Sequence, residues 1–180
     1  IDQAPHLEFA RETVRSFNYR YNTKVLIEPQ AKHTEIKKVL GIDGVEKMSK
    51  SLNNHIEIAS TPEETTARVR EMVTDPARIK RTDPGNPDIC NVYTMHKIFS
   101  PQVDVEMVNV ECRRAGIGCV DCKKLLAKNM NAHLEPFRAK RAEFASKPGY
   151  VQEVLNDGAR RACVIAEKTM EEVREAIQLP

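Results

Sequence analysis

Apolar residues recur at helical spacing near the start of the chain, where Leu7, Ala10, Val14 and Phe17 share one face of a segment running from Pro5 to about residue 18. Proline falls where a first helical turn tolerates it, because the amide it lacks has no partner there. The pattern then shortens. Residues 24–28 (KVLIE) form an apolar run stopped by Pro29, which reads as a buried strand, and a helix leading into a strand predicts the end of an α/β unit. Residues 55–59 (HIEIA) alternate weakly. After them Thr61, Pro62 and Glu64 have the spacing of a capping box, with proline at the first helical position, so a helix is predicted to about residue 73.

Residues 74–88 (TDPARIKRTDPGNPD) are dense in proline, glycine and aspartate, which predicts a hinge or linker. Everything beyond reads as helical. Asp121 is placed to cap a long helix that meets Pro136 inside it, and Lys147, Pro148 and Gly149 break the pattern. From Val151 to Ile177 a stripe that includes Val154, Leu155, Ala162, Ile165, Met170 and Val173 predicts a last helix packed into a bundle. The expected fold is an α/β Rossmann-type remnant followed by an all-α domain, with one domain over residues 1–73 and the second over 74–180.

Composition narrows the class without naming a function. The 180 residues suffice for one large or two small domains. No apolar run of membrane-spanning length occurs, and the first residues lack the basic start and apolar stretch of an export signal, so a soluble, cytoplasmic protein with no membrane partner is expected. A start at Ile1, close to a helix, suggests a piece of a longer chain. The net charge of +2 rules out a polycation, but residues 123–147 carry seven basic side chains against Glu135 and Glu143. That local excess could face a polyanion, whereas residues 153–175, with four basic and six acidic, need not.

The chemistry concentrates in two places, and the first is residues 47–51, KMSKS, within GIDGVEKMSKS. An ammonium group on a flexible stem can follow a phosphate as its charge shifts. Two of them, Lys47 and Lys50, suit a leaving pyrophosphate, while Ser49 and Ser51 supply hydrogen bonds and Gly41 and Gly44 let the backbone bend. The string is not a Walker loop. It is identical to the second signature of class I aminoacyl-tRNA synthetases, and its setting resembles the tryptophanyl-tRNA synthetase family. IDQAPHLEFAR, TDPARIKRTDPGNP and GARRACVIAEKTMEEVREAI resemble other stretches of the same family, so the likeness covers essentially the whole chain.

The resemblance implies a tryptophan–tRNA ligase: ATP, with magnesium, activates tryptophan to the adenylate, and the aminoacyl group passes to tRNA(Trp). It implies that Lys47 and Lys50 are catalytic and that Met48, Ser49 and Ser51 shape the loop and contact ATP. Asp2 would touch the ribose and Gln3 the tryptophan end of the pocket, and each can also serve the adjoining helix start. The helical part would be an anticodon-binding domain, with Arg113, Arg114, Lys123 and Lys124 as candidate tRNA contacts, and the protein a homodimer. The family's first signature, a histidine-rich HxGH-type turn, has no counterpart around His6, His33, His55, His96 or His133. The chain is therefore expected to lack an upstream half and to form no adenylate alone.

Cysteines are the second place. Cys112, Cys119 and Cys122 have CxxxxxxCxxC spacing, and Cys90 lies upstream. In a reducing compartment four convergent cysteines point to a metal more than to disulfides, and the residues alone leave a cluster, zinc or free thiols open. Some members of the resembled family carry a 4Fe-4S cluster on such a pattern, and the likeness extends to all four positions. A single CxxC pair favours the cluster over zinc. Cys163, on the last stripe, is expected in a core. Two rival readings are a tyrosyl-tRNA synthetase and a catalytically inert iron-sulfur RNA-binding module.

Overall fold

The computed structural model describes residues 3–33, 36 and 38–179. Its regular elements are helical: α1 Ala4–Arg20, α2 Pro62–Glu71, α3 Asn91–Phe99, α4 Gln102–Arg113, α5 Cys119–Ala145 and α6 Pro148–Ala176, with a short 3-10 turn at Pro87–Ile89. Among the described residues, the only β feature outside named strands is an isolated antiparallel bridge between Leu40 and Lys47. No described helix is long and apolar enough to cross a membrane. The described residues form two compact units, one drawn from 1–37 and 144–180 and the other from 38–143.

In the first unit α1 forms where its apolar spacing predicts. The run 24–28 does not become a strand, which corrects the Rossmann-type expectation: no neighbouring strand among the described residues pairs with it. Helix side chains meet its backbone instead. Asn18 Nδ2 donates to the Leu26 carbonyl at 2.7 Å while Asn18 Oδ1 accepts the Leu26 N–H at 3.3 Å, and Arg11 Nε donates to the Pro29 carbonyl at 2.8 Å. An amide side chain thus imitates a strand edge. The α6 stripe is corrected as well. α6 buries no residue, Leu155 and Ile165 are 61% and 71% exposed, and Cys163 is exposed rather than in a core. A periodic pattern specifies a face and says nothing of what covers it.

The second unit holds the core. Val69 and Met72 at the end of α2, Val92 and Met95 on α3, Val108 on α4, and Leu126 and Met130 on α5 are each at most 1% exposed. The capping box forms as predicted: the Thr61 hydroxyl accepts the Glu64 N–H at 3.2 Å, and Glu64 Oε2 accepts the Thr61 N–H at 2.8 Å. Two long-range bonds tie α5 to α2, Arg138 Nη2 to Thr65 Oγ1 at 2.8 Å and Lys123 Nζ to the Arg70 carbonyl at 2.8 Å. α5 runs through Pro136 as one helix. Residues 74–88 are no slack linker. Asp75 and Arg78 are buried, and Asp75 accepts the N–H groups of Ala77 and Asn86 at 2.9 and 2.8 Å.

Candidate functional site

An exposed turn at residues 50–53 carries the second lysine, Lys50, and the first, Lys47, closes the base of a hairpin-like turn over residues 39–48. Its sides meet at the Leu40–Lys47 bridge, where the Met48 N–H donates to the Val39 carbonyl at 3.0 Å and the Gly41 N–H to the Glu46 carbonyl at 2.9 Å. Asp43 starts the turn as an Asp-Gly sequence should, its Oδ1 accepting the N–H groups of Val45 and Glu46 at 2.9 and 3.0 Å. Gly44 has φ +71°, the left-handed region glycine enters without a Cβ penalty, and the Asn91 side chain lies close over it. Asn91, buried at the start of α3, donates to the Gly41 carbonyl at 2.7 Å, and the Val73 N–H donates to the Ile42 carbonyl at 2.9 Å. The loop root is thereby fixed to helical core.

Lys47 closes the base of the hairpin, and residues 48–51 lead from it into the following turn. Lys47, Lys50 and Ser51 are exposed, and Met48 and Ser49 are half-buried. Lys50 Nζ stands 3.9 Å from Glu57, an exposed pair worth little against a polyanion, and the Ser49 and Ser51 hydroxyls lie 2.8 Å apart. Met48 points the other way, into an apolar cavity of about 160 Å³ that it lines with Val39, Ile56, Met95, Phe99 and Met130. Gln3 is exposed at the N-terminal boundary of α1 and makes no side-chain cap. Asp2 lies outside the described residues. Sequence reasoning missed Asn54, only 4% exposed, whose side chain links Ser49, Lys47 and Asp43. Its place directly after KMSKSLN was the one available signal.

The cysteines occupy helix ends: Cys90 precedes α3, Cys112 lies in the last turn of α4, and Cys119 and Cys122 open α5. Burial, followed by repulsion from the thiolate forms of Cys90, Cys112 and Cys119, pushes the Cys122 thiol up to about 12. Burial, partly opposed by the Arg78 guanidinium, also raises Cys112, with Cys90 and Cys119 adding repulsion. Cys112 and Cys122 each feel the other cysteine sulfurs. Arg78 Nη1 lies 3.8 Å from Cys112 Sγ, and Arg78 Nη2 donates to the carbonyls of Arg81 and Ile117 at 2.9 and 2.8 Å. Close approach explains Gly85, where a Cβ would sit 2.6 Å from Cys112 Sγ.

Among the described residues no three histidine, cysteine or acidic side chains are arranged to hold a metal ion, so neither the iron-sulfur nor the zinc expectation finds a formed site. Four cysteine sulfurs are the donor type used both by tetrahedral zinc and by iron-sulfur clusters. His96 closes the floor. It is fully buried, its Nε2 donates to the Cys122 carbonyl at 3.2 Å, its Nδ1 accepts from the Ser100 hydroxyl at 2.7 Å, and burial lowers its pKa, so the ring is neutral. The predicted RNA contacts have internal partners: Lys123 holds the Arg70 carbonyl, Lys124 pairs with Asp121 at 3.2 Å, Arg113 with Asp88 at 2.7 Å and Arg114 with Glu111.

Residues 1–135 match the family described as tRNA synthetases class I (W and Y). The chain belongs to that family. A tryptophan–tRNA ligase of Aquifex aeolicus is 43% identical over 180 residues, covering 99% of this chain and 45% of the relative. One from Thermotoga maritima is 43% identical over 179 residues, covering 99% of this chain and 54% of the relative. A crystal structure of tryptophanyl-tRNA synthetase from Campylobacter jejuni, complexed with ADP and tryptophan, is 30% identical with a TM-score of 0.81, covering 99% of this chain and 55% of that one. The chain spans about half the length of the curated relatives it matches. Class I membership accounts for the lysine loop and the helical unit that anchors it.

Proposed function

We propose that this chain is part of a tryptophan–tRNA ligase and supplies the groups that handle the pyrophosphate of ATP. The observation that carries the proposal is the lysine pair itself. Lys47 and Lys50 stand exposed on either side of a backbone held by the Asn54 amide. The tryptophan carboxylate attacks the α-phosphorus, the bond to the bridging oxygen breaks, and magnesium pyrophosphate leaves with the bond's electrons. No protein nucleophile is needed, so the work is placement and charge stabilisation. Lys47 and Lys50 take up the charge that develops on the leaving group, the Ser49 and Ser51 hydroxyls donate to its oxygens, and Met48 anchors the loop in apolar surroundings. Gln3 faces the tryptophan end and Asp2 the ribose, as the family likeness implies. Residues 1–73 then serve catalysis, and 74–180 serve tRNA(Trp).

The exposed pairs of Lys124, Arg113 and Arg114 can exchange carboxylates for phosphates at small cost, whereas Lys123 closes the end of α2. Cys90, Cys112, Cys119 and Cys122 would hold a 4Fe-4S cluster, which would supply a rigid tie between the ends of α3, α4 and α5. The placement of the four cysteines at the ends of α3, α4 and α5, with the Arg78 guanidinium beside Cys112, supports that assignment. A homodimer in the cytoplasm completes the reading.

The test is pyrophosphate exchange into ATP by the whole protein, with tryptophan and with tyrosine. Tryptophan-dependent exchange is expected. Exchange with tyrosine alone would move the assignment to a tyrosyl enzyme, and tRNA binding without exchange would leave an RNA-binding module.

A further inference from the structure

The lysine loop is organised by two side chains that lie outside its signature. Asn54 uses its entire amide: Oδ1 accepts the Ser49 N–H at 2.7 Å, and Nδ2 donates to Asp43 Oδ2 at 2.6 Å and to the Lys47 carbonyl at 3.3 Å. Its own carbonyl accepts the Ile42 N–H at 2.8 Å. Gly41 makes room for it, since a Cβ there would run into the Asn54 side chain. On the far side of the contact, Asp43 Oδ1 holds the amides of Val45 and Glu46. A single amide therefore grips the backbone on both sides of Met48, between the two lysines. Long lysine stems are flexible, so where their ammonium groups spend time depends on how the intervening backbone is held.

We propose that Asn54 and Asp43 form a positioning pair that sets the reach of Lys47 and Lys50 towards a departing pyrophosphate. The inference rests on the ATP reading above. The chemistry of the pair is specific. An amide at 54 is required because one atom must accept from Ser49 while another donates to a carboxylate. N54D sets two carboxylates against each other at hydrogen-bond distance and removes the donor to Lys47. The polarity of the contact is nonetheless reversible: in D43N/N54D the new amide at 43 still accepts from Val45 and Glu46 and now donates across the contact, while the new carboxylate at 54 still accepts from Ser49. Only the donor to the Lys47 carbonyl is lost.

The experiment measures tryptophan-dependent pyrophosphate exchange in the whole protein for the natural sequence, N54D, D43N and D43N/N54D, with kcat and both KM values separated and thermal unfolding followed in parallel. Misplacing a reacting group by about 1 Å costs about 10²-fold, so N54D should lose about 10² in kcat well below its melting midpoint, with KM for tryptophan within about twofold. The swap should regain at least about tenfold over N54D, the non-additivity expected of a direct contact. A merely structural role would follow the folded fraction and give no rescue. The proposal is overturned if N54D stays within about threefold of the natural protein, or if the swap is no better than N54D. No exchange by the natural protein would bring down the ATP reading, and this inference with it.

Discussion

Two loops hold the candidate site residues of this chain, and they are organised in opposite ways. The lysine loop closes on itself: a buried amide, a carboxylate and backbone groups satisfy one another beneath it, and Lys47 and Lys50 are exposed. The cysteine loop gathers sulfurs that disfavour one another's charge, so Cys112 and Cys122 are held as neutral thiols by burial and repulsion, and the nearby Arg78 Nε is buried without a partner. One site is organised before any ligand arrives. The other, in the reading proposed above, would be completed by the group it binds.

The largest effect that separates the two is expected at the lysines of the first loop. K47A/K50A should lower tryptophan-dependent exchange in the whole protein by about 10³-fold, since removing one preorganised charge donor from a transition state commonly costs about 10² to 10³-fold and the two act together. Both positions are exposed, so the melting midpoint should move by less than about 3 °C. Exchange within tenfold of the natural protein would remove the lysines from the chemistry, and a large drop in melting temperature would place them in the fold instead.

The next effect belongs to the second loop. Anaerobic loading with iron and sulfide should turn the protein brown, and a group present at a thousand times its Kd should stabilise the fold by about 4 kcal/mol, raising the midpoint by on the order of 10 °C. C122S should abolish both gains. Equal stabilisation by one equivalent of zinc in colourless protein would show that the loop closes on a single ion after all. The lysine loop should be indifferent to either treatment in its own hydrogen-bond pattern.

How far the sequence foretold these differences depends on how local the cause is. The capping box at Thr61 and Glu64 was legible because both bonds span one helical turn. The Asp43–Gly44 turn was legible for the same reason, although the partner that completes it, Asn54, was not: its role depends on three contacts made only after the chain has turned back. Residues 74–88 read as a hinge or linker, yet Arg78 within them is buried beside Cys112, because the proline-rich segment folds onto α4 rather than spanning a gap. The run 24–28 has strand composition but among the described residues meets side chains of α1, and the stripe of α6 has helical periodicity without burial. In each miss the signal was local and the partner that decides the outcome was unknowable from spacing.

The smallest effect sharpens the comparison through pH. The Asp43 carboxyl is held below its ordinary value of 3.8, first by the Val45 N–H, then by the Asn54 side chain and, less, by the Glu46 N–H, with burial opposing them. A carboxyl whose folded pKa is lowered contributes stability that is fully present above the unfolded value and is lost as pH falls through the folded one. The root of the lysine loop should therefore be unchanged from neutral pH down to about 5 and loosen only below about 4. Amide chemical shifts of Val45, Glu46 and Ser49, followed by NMR, should titrate together with a midpoint below 3.8, and D43N should remove the transition. A midpoint above that value, or a Ser49 amide that ignores the titration, would mean that Asp43 does not govern the turn and that Asn54 holds the loop without it.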